Sequence, residues 1–358
     1  MKELSIDEFI EKNDAVAIDV RSPIEFAEGS IPNAKNIPLF TNREREEVGT
    51  IYKQQGPQAA KWRAMEIVSP KIPGLLTEIK RVKENGKEPV LYCWRGGSRS
   101  QSMATFAALS GLEVPRIVGG YRAYREKILE QIPEMLQKKA IVLHGMTGVG
   151  KTLILEELKG KGYPVLDLEK YANHRGSVFG SFGQGDPHNQ KIFDALLFDE
   201  LSQMSPSNYF IMEAESKRIG RATQPDALLT AKEEGIHISV HALMETRTKR
   251  IYEEYVFPYK EQPWFKERVW ESIHKIEKKI RNKESLQSLY EAIETENYEK
   301  VINILFVDYY DPQYSHKENS YQGEFFYVNA DSIASAVAEI EKIIEKIGFA
   351  VPSQLNSQ

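Results

Sequence analysis

The sequence predicts an α/β protein with two parallel-sheet domains. Short apolar runs of strand length alternate with helical stretches in both halves of the 358-residue chain, which is the pattern of parallel sheets covered by helices. Two of these runs open into glycine-rich loops, at residues 93–100 and 145–152. The composition, 41% hydrophobic and 28% charged, is typical of a globular protein long enough for two or three domains.

In the first half, four apolar runs are predicted to be strands, separated by helices and turns. The segment 42–73 has mixed charge and little periodicity, and we expect helical turns there without assigning them a role. The predicted strands are 15–20, 36–39, 89–93 and 116–120, and the predicted helices are 25–27, 100–109 and a linking helix at 124–137.

The second half begins another alternating pattern at Ala140. Its predicted strands are 140–144, 163–168, 209–215, 237–243 and 325–329, with helices between them. We therefore predict a first domain at 1–128, a linker helix at 129–139, a second domain at 140–350 and a frayed tail at 351–358.

Composition and charge exclude some classes of protein. No long uncharged apolar run is present, and residues 1–10 lack the cationic and then apolar pattern of a signal peptide. We therefore expect no membrane association and a cytoplasmic location, where a single free cysteine suits the reducing conditions. The net charge of −5 argues against nucleic-acid binding by bulk attraction but leaves room for a local basic groove.

The first glycine-rich loop surrounds Cys93 with Arg95, Gly96, Gly97 and Arg99. The two glycines remove Cβ atoms, so successive backbone N–H groups can point at one place above the sulfur, and the arginines add positive charge. The helix predicted to follow contributes its positive N-terminal end. This combination stabilises a thiolate and binds an oxyanion, and a buried structural cysteine is the less favoured interpretation.

The second glycine-rich loop matches the phosphate-binding pattern G-x-x-x-x-G-K-[ST] and follows a strand-like run. Backbone N–H groups of such a P-loop cradle a di- or triphosphate, the lysine neutralises it, and the threonine hydroxyl reaches Mg²⁺. The pattern therefore allows Mg²⁺ or a nucleotide as a ligand. The predicted phosphate-binding residues are Gly145, Gly148, Gly150, Lys151 and Thr152.

An acidic residue at the end of another strand usually supports the metal ion at a P-loop. Here Glu213 and Glu215 follow such a strand, and a glutamate in place of the usual aspartate weakens the case for ATP hydrolysis. Asp167 and Glu169 compete for the same role.

His174 and Arg175 begin a polar, glycine-containing stretch. They are candidates for contact with an anion or substrate, and a plain surface loop is the alternative. The chain has no C-x-x-C and no histidine pair at ligand spacing, so no structural metal is expected.

A basic ridge of Arg268, Lys275 and Lys279 flanks a predicted helix whose apolar residues recur at helical spacing from Val269 to Ile280. The ridge is the candidate nucleic-acid surface, because clustered cations supply contacts to phosphates. A solvated helix face with interspersed glutamates is the alternative.

Motifs in the first 125 residues resemble those of rhodanese (sulfurtransferase) domains. The resemblance lies in residues 19–22, 29–34 and 119–121 together with Cys93. It implies a rhodanese-like fold and a cysteine that carries transferable sulfur as a persulfide. The spacing from Cys93 to Arg99 is one residue longer than in common single-domain rhodaneses and matches that of cysteine phosphatases, so a tetrahedral oxyanion would fit.

The whole chain resembles the tRNA 2-selenouridine synthase family, in which a rhodanese domain is joined to a P-loop NTPase-like domain. The motifs that carry this resemblance are 42–50, 93–100, 145–152, 167–169, 173–177, 213–220 and 309–312. The resemblance implies that selenium from selenophosphate replaces the 2-thio sulfur of the wobble uridine of tRNA. It also implies a prior S-geranylation from geranyl diphosphate, whose diphosphate we expect at the P-loop and whose C10 chain we expect against a nearby apolar wall. The implied partners are the anticodon loop of a 2-thiouridine-containing tRNA and a supply of selenophosphate.

Two other classes stay open from the residues alone. Cys93 and Arg99 beside a P-loop also fit a cysteine phosphatase, or a rhodanese sulfurtransferase, coupled to a nucleotide-binding domain. A non-catalytic sensor that binds nucleotide and reports thiol oxidation is the third class.

Overall fold

The computed structural model of the chain describes residues 2–180, 182–183, 185–204, 206–314, 321 and 325–350. The predicted tail at 351–358 lies outside them. The chain forms two compact units, Met1–Ile132 with Lys191–Asp199 and Pro133–Gln190 with Glu200–Gln358. The domain limits predicted from the sequence, 1–128 and 140–350, stay predictions. No helix among the described residues combines the length and the apolar character needed to span a membrane.

The first unit alternates strands and helices as predicted. In chain order its elements are β1 Glu3–Leu4, α1 Ile6–Ile10, β2 Ala15–Asp19, α2 Pro23–Ala27, β3 Lys35–Asn36, α3 Asn42–Gln55, α4 Pro57–Val68, α5 Ile72–Glu84, β4 Glu88–Tyr92, α6 Ser98–Leu109, β5 Arg116–Ile117 and α7 Gly120–Met135. The five strands form one parallel sheet in the order β1-β5-β4-β2-β3. The predicted parallel α/β architecture is confirmed.

The central strand of this sheet is β4, and all of its residues after Glu88 are buried. A short apolar run buried on both faces is typical of a central parallel strand. Side chains from α5 and α6, including Ile79 and Met103, pack with Leu91 and Ile18 in the core. This packing fixes the carboxyl end of β4, where Cys93 follows.

The segment 42–73 forms two complete helices, α3 and α4, where only helical turns were predicted. Thr41 caps α3, because its hydroxyl accepts from the N–H of Glu44 while the carboxylate of Glu44 accepts from the N–H of Thr41. Gly56 joins the two helices with a φ of 90°, and Pro57 begins α4. The result is a helical hairpin between β3 and α5.

The second unit repeats the alternation with more helices. The chain order also contains α10, most of which belongs to the first unit. The elements are β6 Lys139–His144, α8 Lys151–Gly160, β7 Val165–Leu166, α9 Leu168–Ala172, α10 Gln190–Gln203, β8 Tyr209–Glu213, β9 Arg218–Ile219, β10 Ala222–Thr223, α11 Asp226–Glu233, β11 Ile236–His241, α12 Met244–Ile251, α13 Phe265–Ile276, α14 Lys283–Glu294, α15 Tyr298–Leu305, α16 Asp311–Tyr314, β12 Phe325–Asn329 and α17 Ile333–Lys346. Its parallel sheet has the order β12-β11-β6-β8-β7, while β9 and β10 form a separate antiparallel pair.

Helices α12 to α15 have an apolar core of their own, distinct from the core of the sheet. Val269, Ile273, Ile276 and Ile280 are buried in it, which confirms the predicted apolar face of α13. Two of its turns, Tyr252–Val256 and Phe306–Tyr310, are π-helical. Such local widening of a helix occurs frequently at functional sites.

Gly120 lies where the start of α7 meets the loop after β4. Its φ is 59°, and a Cβ atom there would lie 2.2 Å from the carbonyl oxygen of Cys93 and 2.5 Å from the backbone nitrogen of Gly96. The N–H of Tyr121 donates to the same Cys93 carbonyl at 2.9 Å. The Cys93 loop therefore depends on a residue without a side chain at position 120.

We expect Gly120→Ala to lower the free energy of unfolding by more than Gly111→Ala. Both glycines have positive φ, 59° and 79°, so alanine costs about 1–2 kcal/mol of backbone strain at each. Only at Gly120 does the new Cβ also meet backbone atoms, because nothing lies within 4 Å of a Cβ at Gly111. Urea unfolding of the two variants measures the difference, and equal losses would contradict the clash.

Candidate active sites

The thiol of Cys93 lies at the carboxyl end of β4 and is buried. Its Sγ lies 3.3 Å from the hydroxyl oxygen of Ser100. Gly96 has a φ of 62° and packs so closely on the segment before α7 that a Cβ would lie 2.8 Å from the backbone nitrogen of Gly119. The loop is therefore held around the sulfur by backbone packing on two sides.

The helix α6 begins at Ser98, directly after this loop. Gly97 precedes it and provides no side-chain cap. The first N–H groups of a helix lack intrahelical partners, and together with the helix dipole they favour an anion. The loop therefore presents donors for a thiolate or an oxyanion next to Cys93.

The two arginines of the loop differ. Arg95 is exposed. Arg99 forms a bidentate ion pair with Glu25 of α2, with N–O distances of 2.6 and 3.1 Å. Arg99 was predicted to contact the ligand of Cys93, and in this structure its guanidinium is engaged by a carboxylate that sequence reasoning did not connect with it.

A buried ion pair supports the strand next to β4. Arg21 donates to both carboxylate oxygens of Asp19, at distances down to 2.6 Å, and also to the carbonyl oxygen of Gly29 at 2.7 Å. Its guanidinium lies 4.4 Å from the ring centre of Tyr121. Arg21 therefore links Asp19, Gly29 and Tyr121, which belong to three separate sequence motifs. These motifs form one packed polar network.

The P-loop of the second unit connects β6 to α8. Its two fixed glycines, Gly145 and Gly150, have φ values of 140° and 95°, and Gly148 between them has a φ of 81°. A Cβ at Gly145 would lie 2.4 Å from the carbonyl oxygen of Val240. The amino group of Lys151 donates to the carbonyl of Gly145 at 2.8 Å, so the lysine folds back along the loop.

Two arginines of α12 hold the P-loop from the helical side. Arg247 donates to the carbonyl of Thr147 at 2.9 Å and pairs with Asp311 at 2.6 Å. Arg250 donates to the carbonyl of Val149 at 2.7 Å. Sequence reasoning missed both arginines, although Asp311 belongs to one of the motifs that carry the family resemblance.

Three carboxylates converge beside Thr152. Its hydroxyl donates to Glu213 at 3.0 Å, and single oxygens of Glu169, Glu213 and Glu215 lie within 4.8 Å of one another. Burial, reinforced by the neighbouring carboxylates, raises the pKa of Glu169 and the pKa of Glu213. Hard oxygen ligands of this kind fit Mg²⁺.

Asp167 has a different role, because its carboxylate caps α9 by accepting from the N–H of Lys170 at 3.0 Å. Arg175 pairs with Glu254 at 3.0 Å and lies over the ring of Tyr255. The side chain of His174 packs against Gly220, where a Cβ would approach it to 2.9 Å. Of these three sequence candidates, Arg175 lines the cavity described next.

An apolar cavity of about 180 Å³ adjoins the P-loop. Its polar lining includes Lys151, Thr152 and the three clustered glutamates together with Arg175, Arg250 and Glu254, and both π-helical turns contribute to its wall. The sequence predicts an apolar wall near the P-loop but not which residues form it. Its apolar and aromatic lining consists of Leu153, Phe179, Phe182, Ile251, Tyr255, Val256, Phe265, Val269, Tyr298, Val301, Ile302, Leu305, Phe306 and Tyr310.

The predicted basic ridge consists of exposed side chains. Arg268 and Lys275 lie on α13, and Lys279 lies in the turn after it. Arg268 is 5.9 Å from the ring centre of Trp264, and Lys279 is 5.9 Å from that of Tyr309. The ridge is thus accessible, and its role in nucleic-acid binding stays a prediction.

Comparison with known proteins follows the same division of the chain. Residues 138–343 match the family model of the tRNA 2-selenouridine synthase AAA domain, and residues 5–127 match that of the rhodanese-like domain. A solved structure, the N-terminal domain of a Clostridium difficile 630 protein described as a candidate ATP/GTP binding protein, is 36% identical, with a TM-score of 0.35. It covers 36% of this chain and 99% of its own.

Curated relatives match most of the chain. A tRNA 2-selenouridine synthase of Pseudomonas fluorescens is 34% identical over 334 residues, which cover 86% of this chain and 90% of the relative. One of Sulfurovum sp. is 31% identical over 355 residues, which cover 91% and 95%. The resemblance drawn from the motifs is confirmed, as is the order of a rhodanese-like and a P-loop domain: this chain belongs to the tRNA 2-selenouridine synthase family of enzymes.

Proposed function

We propose that this enzyme replaces the 2-thio sulfur of the wobble uridine of tRNA with selenium from selenophosphate, through an S-geranylated intermediate made from geranyl diphosphate. Membership of the family supports the tRNA substrate and the selenium product. The observation that carries the geranyl step is the apolar cavity that adjoins the P-loop.

Geranyl diphosphate has two parts, and the second unit has a place for each. The P-loop N–H groups and Lys151 suit the diphosphate, and Lys151 would stabilise the negative charge on the departing pyrophosphate. The cavity suits the hydrocarbon chain, since its lining is mainly apolar and aromatic. An apolar cavity of about 150 Å³ is enough to admit benzene, so a volume of about 180 Å³ is of the right order for part or all of a short prenyl chain.

Thr152, Glu213 and the neighbouring Glu169 and Glu215 are the residues that would hold Mg²⁺ at this site. The ion would supply positive charge to a bound diphosphate. A nucleoside diphosphate or triphosphate could use the same loop. Separate assays of the two half-reactions in Lys151→Ala distinguish a nucleotide from geranyl diphosphate as its ligand.

Cys93 is proposed to take part in selenium delivery. Selenophosphate has a tetrahedral phosphoryl group, which suits the N–H groups at the start of α6. Its phosphorus would then lie near the sulfur of Cys93, so that the thiolate can form an S–P bond while the P–Se bond breaks and selenide leaves; water then hydrolyses the S–P bond and releases phosphate. Arg99 would contact the donor only after exchanging Glu25 for it, because the two side chains are paired.

Transfer RNA is proposed to contact the exposed ridge of Arg268, Lys275 and Lys279. Lysine and arginine contacts to phosphates carry the salt-dependent part of such binding. The ridge lies on the same helix, α13, that contributes Phe265 and Val269 to the cavity. A tRNA held there would be near the place where the prenyl donor is proposed to bind.

We expect Cys93→Ser to abolish selenium incorporation while geranylation of tRNA continues. A hydroxyl has nearly the volume of the thiol, so the fold is kept, but it is a far weaker nucleophile and cannot displace selenide from selenophosphate in place of the thiolate. Mass spectrometry of nucleosides from treated tRNA measures both products. Normal 2-selenouridine in the variant would refute the role of Cys93.

We expect the ion pair of Glu25 with Arg99 to make stability depend on pH. Burial alone would raise the pKa of Glu25, but the hydrogen bond and charge of Arg99 outweigh burial and lower it from 4.5. The stabilisation is therefore fully present above about pH 4.5 and is lost as the pH falls through the lowered pKa of the folded state. Urea unfolding should show wild type more stable than Glu25→Gln at pH 7, with the gap closing in acid.

The control for this measurement is Glu11→Gln, at an exposed carboxylate at the end of α1. It should show little difference from wild type at either pH. A gap between wild type and Glu25→Gln that stays constant down to pH 3 would mean that the ion pair does not stabilise the fold.

We expect Lys151→Ala to lose geranyl transfer while selenation of tRNA that is already geranylated continues through Cys93. The reason is that Lys151 acts on the diphosphate alone. The two half-reactions are assayed separately, with and without added ATP or GTP, and Lys170→Ala on the exposed face of α9 serves as control. If the P-loop instead binds a nucleotide that drives tRNA engagement, both half-reactions fail together, and the geranyl proposal is refuted.

A further inference from the structure

A second cavity, in the first unit, opens beside the Cys93 loop. Its volume is about 1310 Å³, and it runs between the α3–α4 hairpin and the start of α6. Ser98, Arg99, Gln101 and Ser102 line its end on α6. We call it the hairpin groove. It is continuous with the loop that surrounds Cys93, so a molecule lying in it would have one end close to the thiol.

The hairpin groove is positively charged although the chain as a whole carries −5. Its lining has five basic side chains, Arg43, Arg45, Lys53, Lys61 and Arg99, and two acidic ones, Glu25 and Glu46. Arg45 and Arg99 both pair with Glu25. The remaining three cations face a single exposed glutamate.

Arg43, Lys53 and Lys61 are exposed, and among the described residues none of them has a carboxylate within ion-pair distance. The other two cations of α3 and α4 do have one: Arg45 pairs with Glu25, and Arg63 pairs with Glu47 and Glu66. Unpaired cations concentrated in one groove are the arrangement that attracts phosphates.

Apolar surface accompanies these cations. Tyr52 and Met65 line the groove with 59% and 57% of their surface exposed, and Ile24 lines it with 57% exposed. Trp62, on α4 between two lining residues, is 69% exposed. Single-stranded nucleic acid is bound by this combination, because its phosphates meet the cations and its unpaired bases stack on aromatic rings.

We propose that the hairpin groove binds the single-stranded anticodon loop of the tRNA substrate, with phosphates at Arg43, Lys53 and Lys61 and a base against Tyr52. The inference rests on the proposed function and adds a surface for the RNA at the selenium-transfer site, distinct from the ridge on α13. Bound in this way, the loop lies along α3 and α4, and its modified uridine is directed to the carboxyl end of β4, where Cys93 is placed.

The test uses full-length protein and an anticodon stem-loop RNA that carries 2-thiouridine. Binding is measured over a range of salt concentrations for the triple variant Arg43→Glu, Lys53→Glu, Lys61→Glu and for Tyr52→Ala. Loss of three phosphate contacts should lower the slope of log Kobs against log salt by about 2. Loss of one stacked base in Tyr52→Ala should weaken binding by about 5- to 150-fold. Thermal unfolding checks that each variant is folded.

The matched control is the triple variant Arg81→Glu, Lys83→Glu, Lys87→Glu. These cations are also exposed, but they lie at the end of α5 and just before β4, at the edge of the sheet opposite Cys93. The control should keep the wild-type salt slope except for a small general change from the altered net charge.

The outcomes separate this inference from the proposed function. If wild type binds and selenates the RNA and both groove variants match the control, the hairpin groove is not the RNA surface and the proposed function stands. If wild type neither binds nor modifies the RNA, the proposed function falls and the inference with it. A third outcome is that polyglutamate binds to wild type and not to the groove variants, while RNA binding is the same in all of them. That result would assign the groove to an acidic protein and overturn the proposal.

Discussion

Where the strand order of a parallel sheet reverses, the carboxyl ends of the strands leave a crevice. Each candidate site of this enzyme lies at such a crevice. In the first unit, β4 lies between β2 and β5 and leads to Cys93; in the second, β6 lies between β8 and β11 and leads to the P-loop. In both, the next helix begins within eight residues of the strand, so its unpaired N–H groups meet the crevice. The same feature therefore presents unpaired N–H groups beside Cys93 in one unit and at the P-loop in the other.

This geometry requires backbone segments to approach closely, and glycine is the residue that permits it. Gly96 and Gly120 pack against each other around the carbonyl of Cys93, and Gly145 packs against the carbonyl of Val240. In each case a Cβ would lie within 3 Å of a backbone atom. Side chains of distant elements then complete the sites: Glu25 reaches Arg99, and Arg247 reaches the carbonyl of Thr147.

The sequence predicts the longer strands and both loops because their signals are local, whereas the two-residue strands β1, β9 and β10 are not predicted. Apolar runs mark β2, β4, β6, β8 and β11, and the glycines mark the turns that follow β4 and β6. The partners of the loops are not local: Glu25 is 74 residues from Arg99, and Arg247 is 100 residues from Thr147. An apolar wall near the P-loop is predicted, but its residues are not, for a related reason: Phe182, Val269 and Leu305 each have the pattern of ordinary core residues, and only the fold brings them to the cavity that Lys151 also lines.

The charge at the P-loop explains why a cation belongs to the proposed geranyl step. Glu169, Glu213 and Glu215 bring three carboxylates together, with Lys151 as the nearest cation of the loop. Burial and mutual repulsion raise the pKa of Glu169 and of Glu213, so without another positive charge these groups tend to keep protons. A diphosphate adds further negative charge to the same place. In the proposed geranyl step, a divalent cation and the diphosphate would therefore bind together, each lowering the electrostatic cost of the other, while the apolar wall would keep water from the carbon that is transferred.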